Sequence, residues 1–135
     1  MKEEYVTYEQ SQALKRLGFK EETTHYYVNF KSDGEVKLWS CNPPDNHNAR
    51  LSINEVCSAP RLDQAVAWMR EEKGIFVGVI YDNNMSNYNP YGFRVQIPMC
   101  NDRSALGFHE YNQALSAGID KALELLTIKS NGKWK

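Results

Sequence analysis

The chain has 135 residues, of which 41% are hydrophobic and 24% charged, and its formal net charge is −1. That length suits one domain with a closed core, and the composition is that of an ordinary globular chain, which excludes intrinsic disorder and a coiled coil. The balance of 16 basic and 17 acidic residues lacks the basic excess that sequence-independent nucleic-acid binding draws on.

The first element is a short helix. Thr7 and Gln10 have capping-box spacing, Ala13, Leu14 and Leu17 share one face, and Gly18 is placed to end the helix before Phe19 docks on the core. A hairpin follows. His25 to Phe30 is aromatic and β-branched, and Val36, Leu38 and Ser40 alternate with Lys37, Trp39 and Cys41, with Ser32-Asp33-Gly34 as the turn. Asn42 to Asn46 carries Pro43 and Pro44 and is read as turn chemistry that ends the strand; Leu51 to Cys57 fits a short strand or a helical turn, and residues 42–60 are read as loop.

A second helix is expected over Leu62–Lys73, with Leu62, Ala65, Val66 and Met69 inward, Trp68 a further candidate for that face, and Gly74 as the stop. Ile75 to Tyr81 is a continuous apolar strand. Residues 82–90 are polar and asparagine-rich, and Phe93, Val95 and Ile97 then alternate with Arg94 and Gln96. The two strands form a second hairpin with a long tip. A third helix starts at Tyr111, with Ala114, Leu115, Ile119, Ala122, Leu123 and Leu126 in helical spacing. Gly118 lies on that stripe, where it costs about 1 kcal/mol against Ala, so a close approach to the sheet is the expected compensation. Residues 127–135 lack periodicity and are expected to fray.

The order α-β-β-α-β-β-α predicts a single α+β domain over residues 1–135. Its simplest packing is one antiparallel sheet of about four strands with the three helices gathered on one face. No apolar run approaches the ~20 residues of a membrane span, and Lys2, Glu3 and Glu4 precede no apolar signal core, so a cytoplasmic location is expected. Cys41, Cys57 and Cys100 are far apart and odd in number, which predicts reduced thiols rather than a disulfide framework or a zinc knot.

Chemistry-bearing patterns are few. Cys41, Asp45 and His47 hold the residue types of a thiol nucleophile, an orienting acid and a base, which keeps a small hydrolase using Cys41 or a histidine as an alternative. The plain reading of the same residues is a small buried side chain beside a loop histidine. His25, His47 and His109 show no metal-ligand spacing, and the glycines form no phosphate-binding loop, so neither a metal nor a cofactor is expected. The chain does carry eight tyrosines and three tryptophans. Trp39, Tyr81, Tyr88, Tyr91 and Arg94 are the candidate ligand-binding residues, because such side chains give rigid contact area together with a hydrogen bond or a charge.

Three stretches carry a resemblance. Tyr5 to Gln10 with Ala13 to Phe19, Ala59 to Ala65 with Trp68 to Glu71 and Gly74-Ile75, and Tyr111 to Leu115 with Gly118-Ile119 and Ala122-Leu123 resemble small proteins encoded by phages, prophages and mobile elements of gut Bacteroidales. The middle stretch is similar to that group's "APT…A..WLRE…GI" signature, from which Arg61 and Met69 depart. The resemblance implies a fold and a genetic context, and no active site. It makes a non-enzymatic accessory protein the leading expectation, one that binds a host protein or a small ligand such as a nucleotide messenger, with an anti-defence role. A nucleic-acid-binding accessory protein is a further alternative, and pairing of two copies through an exposed edge strand is open.

Overall fold

The computed structural model describes residues 4–30, 34–49, 55–82 and 89–130. The described residues form an α+β structure whose backbone groups into two compact units, Met1–Arg61 and Leu62–Lys135. The helices number three, as the sequence predicts. The strands differ: instead of one sheet of about four, there are two antiparallel sheets of three strands each.

The first unit opens with α1 (Tyr8–Arg16). The Thr7 hydroxyl accepts from the Gln10 N–H at 3.2 Å, and the Gln10 side chain accepts from the Thr7 N–H at 2.8 Å, which completes the capping box. Gly18 takes φ of +97°, the left-handed conformation that lets the chain turn off the helix and bury Phe19. The sheet has the order β2-β1-β3, with β1 Thr23–Phe30, β2 Glu35–Asp45 and β3 Glu55–Ser58. One face of β1 meets the chain around α1: the Tyr27 hydroxyl donates to the Val6 carbonyl at 2.6 Å, and the Asn29 amide donates to the Tyr8 hydroxyl at 3.3 Å.

Two assignments for residues 42–60 are corrected. Pro43 and Pro44 lie within β2 rather than ending it, because β2 is the sheet's edge and an edge strand need not donate outward. The pairing also slips there, between Thr23 and His25 on β1. The 3-10 turn His47–Ala49 and β3 then occupy what the sequence leaves as loop. β3 is too short for an alternation pattern to declare itself.

The second unit begins with α2 (Leu62–Lys73), whose buried residues are Leu62, Ala65, Trp68 and Met69; Val66 is only half-buried. The Ile75 N–H closes the helix by donating to the Met69 carbonyl at 3.2 Å. The sheet has the order β4-β5-β6, with β4 Phe76–Tyr81, β5 Tyr91–Gln96 and β6 Arg103–Phe108. β6 has no counterpart among the predicted strands. Its run of Arg103, Ser104, Ala105 and Leu106 is weakly patterned, and Gly107, at φ of +101°, shifts the pairing with β5 by a residue. α3 (Tyr111–Ser130) packs on this sheet. A Cβ at Gly118 would lie 2.8 Å from Val77 Cγ1 and 3.0 Å from Phe93 Cβ, which is the close approach the sequence predicts. α3 runs on to Ser130, with the Thr127 hydroxyl donating to the Leu123 carbonyl at 2.8 Å, so the expected frayed tail over 127–135 is helical as far as 130; its remaining residues lie outside the described ones. Among the described residues, no helix is long and apolar enough to cross a membrane.

Candidate functional site

The second unit gathers its described tyrosines at one end of its sheet. Tyr81 ends β4 and pairs across the ladder with Tyr91, the first residue of β5. Their rings meet edge to face at 5.5 Å, and Tyr91 meets Tyr111, the first residue of α3, at 6.2 Å and 82°. Edge-to-face pairs hold aromatic rings in place beyond simple area burial. The outer two rings still face solvent, with Tyr81 64% and Tyr111 54% exposed, while Tyr91 is half-buried between them. The Asp82 N–H donates to the Pro90 carbonyl at 2.9 Å and pins the base of the connection beside the row.

The candidate residues therefore separate. Tyr81 and Tyr91 come together, and Tyr111 joins them. Tyr88 lies outside the described residues. Arg94 is exposed on β5, but it alternates with the buried Phe93 and Val95 and so projects from the sheet face opposite the helix side that carries Tyr91. Trp39 belongs to the first unit, on β2, and is 47% exposed. Sequence reasoning treats Tyr111 only as the start of a helical stripe. The available signal was its spacing: Tyr111 precedes Ala114, Leu115 and Gly118 on one face, so it extends the sheet-facing stripe a further turn toward the helix start.

The first unit holds the cysteine–histidine pair. Cys41 Sγ lies 3.3 Å from His47 Nε2, and that same nitrogen lies 3.1 Å from the Thr23 carbonyl oxygen. A carbonyl only accepts, so Nε2 carries the proton and donates to Thr23. A protonated nitrogen has no lone pair with which to take the thiol proton. The Cys41 thiol is instead turned toward the Pro43 carbonyl at 3.3 Å. The imidazole is fully buried and stacked on Tyr26 at 4.3 Å, and the His47 N–H donates to the Ser58 hydroxyl at 3.2 Å. Asp45 accepts from the Asn46 N–H at 2.8 Å. These contacts fasten the 3-10 turn to the sheet.

Comparison with family models, curated proteins and solved structures finds no match.

Beside the turn lies a cavity of about 270 Å³ lined by Lys15, Phe19, Lys20, Asn46 and Asn48 among others. Two of its polar groups are engaged in the fold: Lys15 Nζ donates to the Val56 carbonyl at 2.8 Å, and the Asn48 amide donates to the Phe19 carbonyl at 2.9 Å and accepts from the Ser58 N–H at 2.8 Å. Among the described residues, no group of three or more His, Cys, Asp or Glu side chains could hold a metal ion. The Tyr27 phenol lies on the first unit's helix side of β1, with its hydroxyl on the Val6 carbonyl. Burial, and then the negative charge of Glu9, raise its pKa above the ordinary value of 10.0.

Proposed function

We propose that this chain is a non-enzymatic accessory protein of a phage or mobile element, and that it works by binding a host protein through the Tyr81–Tyr91–Tyr111 row. The observation that carries the reading is the combination of exposure and restraint in that row: two outer rings open to solvent and a middle ring packed edge to face against both. Tyrosine held this way loses little side-chain entropy on binding and offers both apolar area and a hydroxyl, which is why it anchors protein interfaces. The resemblance to phage and mobile-element proteins of gut Bacteroidales supports a host protein as the partner and an anti-defence role as its setting.

A nucleotide messenger would be held by an aromatic platform and a cation acting together. The projection of Arg94 from the other sheet face favours the protein partner over the nucleotide. The buried, proton-bearing His47 Nε2 likewise disfavours a hydrolase built on Cys41.

The test is capture from a Bacteroidales lysate with the wild-type chain and with Tyr81→Ala/Tyr111→Ala. Anchors of this kind contribute about 2 kcal/mol each, ~30-fold in affinity, so the double variant, which lacks two, is expected to bind ~1,000-fold more weakly. Arg94→Ala is expected to bind as the wild type does. Equal capture by the double variant would refute the placement, and retention of a small molecule in place of a polypeptide would favour the nucleotide.

A further inference from the structure

Among the described residues, the strand β2 is paired along one edge only. It lies at the outside of the β2-β1-β3 sheet, and from Glu35 to Ser40 every residue is exposed. Val36 and Leu38 on one face are 38% and 42% exposed, and Trp39 opens on the other. An apolar edge of this kind is a template for another strand unless something guards it.

The usual guards are weak along this stretch. Lys37 is the one cation on it, and its ammonium lies 3.5 Å from Glu35 and 6.0 Å over the Phe30 ring. Phe30 stands on β1, so the charge is drawn back over the sheet rather than out across the free edge. Pro43 and Pro44 come only after Cys41, where the pairing with β1 has already slipped. They limit the pairable stretch to its first half.

We infer that two copies of this chain associate through β2, antiparallel about a two-fold axis at Leu38, to join their three-stranded sheets into one. The occupant is a second copy because the strand is complementary to itself. Glu35 and Lys37 neutralise each other within the strand, so like edges do not repel. With Leu38 opposite Leu38, Val36 faces Ser40, Lys37 faces Trp39 and Glu35 faces Cys41. Val36 and Leu38 of both copies then form one apolar patch. Centring the axis on Lys37 would set two like charges face to face. Centring it on Val36 or Trp39 would shorten the ladder. A ladder this short falls at the low end of interface sizes, below about 1,200 Å² in total, so the dimer is a weak one that forms in the micromolar range.

This association is independent of the tyrosine row, and sedimentation equilibrium over a micromolar concentration series reads it. Wild type is expected to shift from monomer to dimer across the series, and Tyr81→Ala/Tyr111→Ala is expected to do the same. Leu38→Lys places like charges on the axis and is expected to weaken the dimer at least ~10-fold with an unchanged circular dichroism spectrum. Leu38→Cys is expected to give a disulfide-linked dimer on mild oxidation, bonded at that position. A wild type that stays monomeric throughout would overturn the inference, as would a dimer that Leu38→Lys leaves intact. Efficient linkage through Val36→Cys but not through Leu38→Cys would overturn the register.

Discussion

Tyr27 shows how a single side chain sets a pH limit. Its hydroxyl donates to the Val6 carbonyl, and burial together with Glu9 raises its pKa, so the folded state favours the neutral phenol. A group whose folded pKa lies above its unfolded value stabilises fully below the unfolded value and loses that contribution as pH rises through the folded one. Stability is therefore expected to fall above a pH of about 10. Thermal melts from pH 8 to 11 should show a shallower alkaline decline for Tyr27→Phe, with a cost of about 1 kcal/mol at neutral pH from the lost hydrogen bond. An unchanged alkaline decline would remove Tyr27 as its source. Gly118 sets a steric limit. Gly118→Ala gains about 1 kcal/mol of helix propensity, but its Cβ must displace the stiff Val77 and Phe93, and overpacking costs about 1–3 kcal/mol. The variant is expected to melt lower than the wild type, and a higher melting temperature would show that the contact relaxes freely.

Among the elements, helix ends and stripes were the most legible in the sequence. Thr7 and Gln10 form their reciprocal bonds, and α2 has the predicted bounds, because caps and 3.6-residue periodicity are local properties. Thr7→Ala is expected to cost about 1 kcal/mol, measured by urea unfolding; a negligible loss would mean that tertiary contacts alone hold the end of α1. Strands were legible only where alternation was long. The pair Pro43-Pro44 reads as a strand breaker, yet an edge position accommodates it. β6 escapes notice because Gly107 breaks its register, and β3 because four residues carry no period. The candidate site was legible in part for the same reason. Tyrosine-rich strand ends pointed to Tyr81 and Tyr91, whereas Tyr111 reaches them only through the packing of α3 on the sheet, which no local pattern encodes. Arg94 was a candidate for its charge, and its alternation with the buried Phe93 and Val95 sets it on the other sheet face.

At the scale of the whole molecule, the two units carry different surfaces. The first offers the β2 edge and a cysteine–histidine pair committed to structure; the second offers the tyrosine row. Cys41→Ser is accordingly expected to leave partner binding unchanged, and loss of binding in a variant that still folds would return the thiol to consideration. The central claim is that the tyrosine row holds a host protein. The most direct measurement is native mass spectrometry of the chain recovered from a Bacteroidales lysate, with wild type and Tyr81→Ala/Tyr111→Ala treated side by side. The account predicts a host polypeptide bound to the wild type and absent from the double variant. The same polypeptide at equal occupancy on both proteins would contradict it.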